Sequence, residues 1–382
     1  MNAMAEQNIL FRSQRVPGYF LRFAEEQDDA QLLALITESM PSNGMVLSFE
    51  RQPSYFQATR AQYNTPEIIV VLHEDDPSQI IGMMNLGWKD YWINGEQSKI
   101  RYVSDLRIKR TSRGKKTIEV FMEFIYQHYG EDMIFHSVIL EDNHVARTVM
   151  QQEQKGFPTP CFFDSITTYT VSKVPKVSQV QYRLEQLNQS NLDVANAFVV
   201  KMGQRYNYLP TYDFRQLAEA MHPFWHAMRL EDFYLVRDRD NQIAGLFGLW
   251  NQKSFKQTKV ASYSRLLKLA KPFYNAYAVL THELKLPKEG EAFDYMMAHS
   301  MICHPEAIEV MHYMLAQALQ KVQDLGKTSF CVTVAENDPR KQILDRCRAH
   351  KMKAVHTMHS YQPKHFGTVD RSKISYFEVG RI

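Results

Sequence analysis

The sequence predicts a mixed α/β protein that is built from two similar domains. The chain has 382 residues, which is long for one domain. Strand-like and helix-like patterns alternate along it, and the same order of patterns restarts after residue 178. Its hydrophobic content of 45% is sufficient for packed cores. We place a linker at residues 174–178 and predict one domain over 1–174 and a second over 175–382.

The first half alternates short strands with helices. The apolar run 67–72 ends in a polar turn and is followed by a second apolar run, a pattern typical of a hairpin. The acidic pair Asp28-Asp29 suits a helix start, and apolar residues at helical spacing predict a helix over 116–129. The predicted strands cover residues 19–23, 67–72, 79–86, 100–108, 135–140 and 165–171, and the other helices begin near residue 28 and cover 145–155.

The order of these elements repeats in the second half. Ile308-Glu309-Val310 opens a helix as Ile118-Glu119-Val120 does, and strand 330–334 leads into an acidic turn as strand 135–140 does. Several matches in the same order indicate duplication of a whole domain. The other elements predicted in this half are a strand near 182–184, a helix over 192–202 and a strand pair at 233–237 and 243–250.

Composition and charge argue against several classes of protein. A net charge of +3 without a long Lys/Arg run gives no reason to expect nucleic acid binding. The four cysteines form no CxxC pair, so we expect no zinc site, no disulfide framework and a reducing compartment. No apolar run resembles a signal peptide or reaches the ~20 residues of a membrane span. We therefore expect a cytoplasmic protein without metal or membrane contact, and leave its oligomeric state open, a homodimer included.

Two clusters that look functional have simpler interpretations. His222 and His226 flank Trp225 at a spacing that can place two metal ligands on one helix face, but no third ligand is evident. Packed histidines are the preferred interpretation.

The stretch 253–271 carries six Lys/Arg residues among aromatic ones. We favour a solvated insertion there over a contact with an acidic substrate or RNA.

Two stretches about thirty residues apart carry the functional signal. Residues 103–118 read as a strand, a basic turn and a helix start, a geometry in which backbone N–H groups point at an anion. Residues 141–147 read as a strand end, a polar turn and another helix. The sequence therefore predicts an anion site at the start of helix 116–129.

Together these stretches resemble the acetyl-CoA-binding core of the GNAT acyltransferase superfamily. The resemblance implies that each half is a mostly antiparallel twisted sheet, flanked by helices and splayed at its central strands. In the family an R-x-x-G-x-G/A turn binds the coenzyme A pyrophosphate; here Arg113 matches, while Lys116 and Ile118 replace the small residues. A left-handed Lys116 would cost ~1–3 kcal/mol. The residues implied to bind acetyl-CoA are Leu106, Arg107, Ile108, Arg113, Gly114, Lys115, Lys116, Thr117, Ile118, Asn143 and Arg147.

The resemblance further implies an N-acetyltransferase in which an amine attacks the thioester directly in a ternary complex. Met150 stands where many members have a Tyr that protonates the thiolate. A Lys-like amine with pKa ~10.4 needs deprotonation more than a thiol with pKa ~8.5 needs an acid, so Met150 does not exclude catalysis. Asp105 and Glu67 are the candidate bases, and Tyr102 and Tyr169 the candidate acids; each has an alternative as a packed or paired structural residue.

The second half keeps the pattern but loses the phosphate turn. Residues 301–307 contain no Arg-Gly pair, and Glu306 would repel a pyrophosphate. We expect this copy to support the first one and to lend residues to the acceptor cleft. The acceptor, a small-molecule or peptide amine, would be selected by loops 41–63 and 88–96. Two alternatives stay open: a non-catalytic acyl-CoA-binding module and an aminoacyl-tRNA-dependent transferase.

Overall fold

One long, mostly antiparallel sheet runs through the protein, with helices on both of its faces. A computed structural model describes residues 8–37, 40–41, 44–114, 116–151, 154–177, 181–219 and 222–382. The strands are β1 Phe11–Arg12, β2 Tyr19–Phe23, β3 Met40–Pro41, β4 Met45–Glu50, β5 Ile68–His73, β6 Gly82–Asn85, β7 Trp88–Ile93, β8 Glu96–Ile108, β9 Ile134–Leu140, β10 Thr159–Lys173, β11 Arg183–Gln186, β12 Tyr206–Asn207, β13 Leu209–Pro210, β14 Phe233–Arg237, β15 Ile243–Trp250, β16 Gln257–Tyr263, β17 Met296–Cys303, β18 Phe330–Ala335, β19 Arg348–Ser360 and β20 Ile374–Ser375. The helices are α1 Asp29–Ile36, α2 Tyr55–Gln62, α3 Thr117–Tyr129, α4 His144–Gln151, α5 Leu192–Gly203, α6 Phe214–Ala218, α7 Arg265–Thr281, α8 Ile308–Asp324 and α9 Lys341–Arg346.

In the first half the strand order is β1-β2-β5-β6-β8-β9. Successive side chains of a strand point to opposite faces, and both faces of β5 are buried. Ile69 and Val71 pack in one apolar cluster with α3, whereas Ile68 and Val70 pack in another with α1 and α2. Burying each such side chain contributes about 1.5–3 kcal/mol. The sheet therefore has an α3 face and an α2 face, which decides which site residues can meet.

Several predicted elements are confirmed closely. β2, β14 and β15 match their predicted bounds to the residue, and α3 begins one residue later than predicted. The segments treated as acceptor loops are more ordered than expected: they contain β4, α2 and β7. The α2 helix was missed because Gln, Thr and Arg interrupt its apolar pattern. Its start is fixed instead by Ser54, whose hydroxyl accepts a hydrogen bond from the Gln57 N–H at 3.3 Å.

The last long strand of each half lies beside strands of the other half. β19 pairs antiparallel with β9, from Ala354 opposite Leu140 to Ser360 opposite Ile134. β10 pairs antiparallel with both β18 and β19, and thus with strands of the second half only. The division at residues 174 and 175 remains a prediction. This exchange of β10 and β19 joins the two half-sheets into one.

The described part of the chain contains no helix that is long and apolar enough to cross a bilayer. Within the same residues, no group of three or more His, Cys, Asp or Glu side chains is arranged to hold a metal ion.

Candidate acyl-CoA site

The central strands of the first half diverge, as the resemblance implied. β8 and β9 run parallel and pair only from Arg101–Val103 to Phe135–Ser137. β8 then continues to Ile108 without β9 beside it, and on its other edge it pairs with β6. The main chain of residues 104–108 therefore has no strand on the edge that β9 leaves, and we call this divergence the first split.

A bulge in β8 lies at this split. Ser104 is opposite Asn85 and Arg107 is opposite Met83, so two β8 residues face a single β6 residue between these pairs. One of the two, Asp105, has a φ of 53°. A non-glycine residue in this left-handed region costs of order 1–3 kcal/mol, and such strain clusters at functional sites. The bulge aims the Asp105 side chain onto the α2 face.

Asp105 is held by an arginine and a tyrosine that the sequence analysis did not single out. The Tyr55 hydroxyl donates a hydrogen bond to Asp105 Oδ2 at 3.0 Å, and Arg51 Nη2 lies 3.6 Å from Oδ1. The Asp105 side chain is only 9% exposed. Burial, together with the Asp105 charge, raises the pKa of Tyr55 well above its usual value, so its hydroxyl stays protonated and donates. The carboxylate is thus fixed in place and remains an acceptor.

Tyr102 lies on the same face as Asp105. Its ring is 5.8 Å from that of Tyr63, whose hydroxyl is 2.6 Å from the Ser104 hydroxyl. Lys89 Nζ lies 4.0 Å from the centre of the Tyr102 ring, a cation–π contact. The pKa of Tyr102 is raised, first by burial and then by the Asp105 charge, so the phenol carries its proton at neutral pH. The structure therefore brings Asp105 and Tyr102 together.

The other two candidates for acid or base lie elsewhere. Glu67 Oε2 is 2.5 Å from Arg101 Nη1 and accepts a hydrogen bond from the Tyr129 hydroxyl of α3 at 2.8 Å, which places it on the α3 face. Tyr169 is fully buried in the core of the second half and donates to Asp345 at 2.7 Å. Met150 packs in the α3-side core. Of the four candidates, Asp105 and Tyr102 thus share one face of the sheet, whereas Glu67 and Tyr169 lie apart from them.

The predicted phosphate turn follows β8 and leads into α3. Gly114 and Lys116 have φ values of 80° and 58°, so Lys116 adopts the left-handed conformation for which the family motif uses glycine. Arg113 Nε donates to the Ile108 carbonyl at 3.3 Å, tying the turn to the end of β8. The side chains of Arg110, Arg113 and Lys116 are exposed beside the first turn of α3. This helix start therefore presents a basic surface next to the first split.

The remaining residues that were predicted to bind acetyl-CoA contribute to the site in different ways. The Thr117 side chain is buried, and Ile118 and Leu106 pack against the α3-side core, so a ligand would meet their main chain. Asn143 Oδ1 accepts the Ala146 N–H at 3.1 Å and caps α4, and Arg147 Nη1 donates to the Glu141 carbonyl at 3.3 Å. Arg107 donates to the Leu106 carbonyl, and Lys115 lies outside the described residues.

Two buried lysines complete the α2 side of the site. Lys256, from the second half, donates to the main-chain oxygens of Gly380 and Ile382 at 3.2 and 2.8 Å. Burial, then repulsion by Arg51, lowers its pKa well below the usual value. Lys89 donates to the Arg381 carbonyl, and burial likewise lowers its pKa. Sequence patterns contain no signal for these residues, because only the tertiary fold brings Lys256 near Asp105 and Lys89 onto the Tyr102 ring.

The second half repeats the split but fills it. β17 and β18 pair only at Met296 and Met297, and Ser300 has a φ of 50° beside a bulge, as Asp105 does. Arg340, which follows β18, is 2% exposed and directs Nη1 to the Met301 carbonyl at 3.3 Å. The Tyr206 hydroxyl donates to the Cys303 carbonyl at 2.6 Å. Protein side chains thus occupy the main-chain acceptors along β17.

No protein-family model matches the chain, and no curated protein sequence does either. Solved structures do resemble it. N-myristoyltransferase from Saccharomyces cerevisiae with bound myristoyl-CoA aligns with a TM-score of 0.54 and 9% identity over 93% of this chain and 86% of its own. A GCN5-related glucosamine N-acetyltransferase region of a fungal multi-domain GH3 β-N-acetylglucosaminidase aligns with a TM-score of 0.58 and 9% identity, over 89% of this chain and 38% of that one.

At these identities the similarity establishes the fold. The two splayed half-sheets and the alignment along nearly the whole of N-myristoyltransferase show that the chain has the two-domain GNAT fold, as the motifs at residues 103–118 and 141–147 predicted.

Proposed function

We propose that the protein is an acetyl-CoA-dependent N-acyltransferase in which an amine attacks the thioester directly. The observation that supports this most is the contrast between the splits. The first has no strand beside the β9 edge of residues 104–108 and ends at a basic helix start with exposed Arg113 and Lys116, whereas the buried Arg340 fills the second. The fold is also that of N-myristoyltransferase, which has been solved with myristoyl-CoA bound.

The donor would lie along the first split. Main-chain groups of residues 104–108 would pair with the pantetheine arm as an added strand does. The pyrophosphate would lie at the first turn of α3, where backbone N–H groups and the cations of Arg113 and Lys116 converge. Exposed side chains suit this role, because a cation that stays in water until the ligand arrives has not already lost its hydration on folding.

Packing at the base of the first split favours a short acyl group. Tyr102 and His136 form the middle one of the three β8–β9 pairs, directly before the last pair of Val103 and Ser137, and their rings lie 4.9 Å apart. Tyr91 and Tyr208 pack against the same histidine, at 5.5 and 5.3 Å. The cavity beyond them holds about 20 Å³, roughly the space of one water molecule. An acetyl group fits this geometry, while a long chain would have to displace packed rings.

Asp105 is the proposed base. Deprotonating a Lys-like amine at pH 7 costs roughly 4–5 kcal/mol, so a carboxylate beside the reacting nitrogen is the most useful group the site can supply. Arg51 and Tyr55 fix that carboxylate through Oδ1 and Oδ2. As the nitrogen bonds to the thioester carbon, its proton passes to Asp105, and main-chain N–H groups near the bulge stabilise the oxyanion.

Collapse of the intermediate breaks the C–S bond and releases the thiolate of coenzyme A. Tyr102, on the same face as Asp105, would give its proton to the sulfur and regain one from the protonated Asp105, directly or through water, so that the proton of the amine ends on the thiol. A thiol with pKa ~8.5 is a tolerable leaving group even without this help. Loss of Tyr102 should therefore cost less rate than loss of Asp105.

The acceptor would approach from the α2 face, where Asp105 points. The side-chain amides of Gln62 and Asn85 are buried there without a hydrogen-bond partner. Buried polar groups are normally paired, so two unpaired amides on one face suit an acceptor that carries hydroxyl or amide groups besides its amine. We propose a polar small molecule or a peptide as the acceptor class.

Calorimetric titration of the purified protein with acetyl-CoA tests the donor site. We expect one site per chain, with Arg113→Ala weakening affinity about 10- to 150-fold because a charge-assisted contact is worth about 1.5–3 kcal/mol. Arg12→Ala, which removes an exposed arginine distant in sequence, serves as the control. Absence of binding would refute the proposal. Binding without thiol release for any amine in a broad panel would leave only the non-catalytic alternative.

A further inference from the structure

The helix α7 exposes an apolar face along its whole length. Large apolar side chains that would normally be buried are mostly open to solvent on one side of this helix. They are Leu266 (81% exposed), Leu269 (73%), Phe273 (79%), Tyr277 (45%) and Leu280 (81%). Their spacing of three or four residues aligns them on one stripe, here called the α7 outer face. The 17-residue helix makes this stripe about 25 Å long.

The opposite side of α7 holds the helix to the protein. Ala278 is buried, Asn275 exchanges hydrogen bonds with the main chain of Leu286 at 2.9 Å, and Lys271 donates to the Pro287 carbonyl at 2.5 Å. The helix is therefore fixed with its apolar side outward. Exposed apolar surface of this extent marks an interaction site.

The surroundings of the α7 outer face are basic. The helix contains Arg265, Lys268 and Lys271 and no acidic residue, and the helix with the segment after it, residues 265–291, holds five Lys/Arg against three Glu. Two of those glutamates are already paired: Glu289 with Lys268 and Glu283 with Arg348, each at 3.0 Å. A second basic element adjoins the helix, since Arg348 Nη2 donates to the Tyr277 hydroxyl at 2.9 Å. The strand that Arg348 begins also carries exposed Lys351 and Lys353.

We propose that α7 binds the surface of an anionic lipid bilayer, lying in the interface with its outer face among the acyl chains. An amphipathic helix with apolar Leu and Phe on one side and Lys or Arg around it has this property. A second copy of the chain fits less well, because two basic faces would repel each other, whereas anionic headgroups attract them. The proposal goes against the sequence-based expectation of no membrane contact and does not depend on the acyl-transfer proposal.

Vesicle co-sedimentation of the full chain tests this directly. We expect at least tenfold stronger binding to vesicles of phosphatidylcholine with 30% phosphatidylglycerol than to pure phosphatidylcholine, and weaker binding as salt is raised. The variant Leu266→Ser/Phe273→Ser/Leu280→Ser should reduce binding at least tenfold. Val194→Ser/Val200→Ser on α5 is the matched control, because these side chains are also exposed, at 44% and 49%. Circular dichroism would verify that each variant is folded.

Charge is tested separately with Arg265→Gln/Lys268→Gln, which should reduce the preference for anionic vesicles while leaving the apolar stripe intact. Light scattering after size exclusion would detect the alternative, a dimer in which a second copy of the chain covers the α7 outer face. A dimer that the triple serine variant abolishes, without vesicle binding, would overturn the proposal and assign the face to self-association. Absence of binding by the folded monomer, or binding that the triple variant leaves unchanged, would also overturn it.

Discussion

The two halves of this protein share a diverging pair of parallel strands and differ in the side chains that lie at the divergence. Each has a short parallel strand pair that diverges, and each has a left-handed residue beside the divergence, Asp105 in one and Ser300 in the other. In the first half a carboxylate stands at that position, and the arginine that reaches the end of β8, Arg113, is exposed. In the second half a hydroxyl stands there and Arg340 closes the gap. The comparison shows that the splayed geometry can be retained while a few side chains remove its chemistry.

The largest expected effect comes from separating the halves. Residues 1–174 alone leave β9 without β19, and β10 without either of its neighbours. We expect neither 1–174 nor 175–382 to give a cooperative unfolding transition when expressed alone, and co-expression to restore one. Circular dichroism during urea unfolding would measure this. A cooperatively folded isolated half would show that the exchanged strands are dispensable.

Substitution of the left-handed residue in each half distinguishes a catalytic role of its side chain from a role in the backbone conformation. Asp105→Asn should lower the rate of acyl transfer by about 10²–10⁴-fold, the usual contribution of a general base, with little change in acetyl-CoA affinity. Its counterpart Ser300→Ala should leave the rate unchanged. That variant should cost about 1 kcal/mol of stability, because its hydroxyl lies 2.8 Å from His299 Nδ1. Equal rates for wild type and Asp105→Asn would exclude Asp105 as the base.

The junction between the halves should be sensitive to acid. His136 on β9 and His356 on β19 are buried with ring nitrogens 3.0 Å apart, and burial lowers the pKa values of His356 and His359 to about 3. The folded state then binds fewer protons than the unfolded one, whose histidines titrate near 6.5. Stability is therefore complete above pH 6.5 and falls as the pH drops toward 3.

Between pH 7.5 and 5 this linkage should remove about 2 kcal/mol per buried histidine. Urea unfolding at the two pH values would measure it. His359→Gln should reduce the difference, whereas His128→Gln, at an exposed position on α3, should not. An unfolding free energy that does not change over this pH range would contradict the prediction.

The smallest effect concerns the helix that follows each split. Lys116 precedes α3 with a φ of 58°, whereas Ala307 precedes α8 with a φ of −83°. Lys116→Gly should raise the unfolding free energy by about 0.5–1 kcal/mol, because relief of strain exceeds the entropy that glycine loses. Ala307→Gly should lower it by a similar amount. Thermal unfolding of both variants measures the difference, and a shift in the same direction for both would refute the argument.

Local patterns predicted several elements to within a residue, but they gave no element for β16, α7, β17, α9 or β19, and they predicted tertiary partners poorly. β14, β15 and α3 follow from apolar periodicity and turn residues, which are properties of a few adjacent residues. The exchange of β10 and β19 was not foreseen, because an alternating strand has the same pattern whichever sheet it joins. Asp105 was found because the segment Ser104-Asp105-Leu106 is similar to the Glu-Asp-Leu/Phe segments of GNAT proteins. Arg51 and Lys256 were missed, since no spacing in the chain links them to it.

The exchanged strands also set the order in which the protein can mature during synthesis. β9 ends at Leu140, but its partner β19 ends at Ser360, 220 residues later. At translation speeds of about 5–20 residues per second, that edge of the nascent sheet stays open for about 10–45 seconds. An open strand edge can pair with another chain, so ribosome-bound intermediates of this protein are natural clients for chaperones that shield such edges.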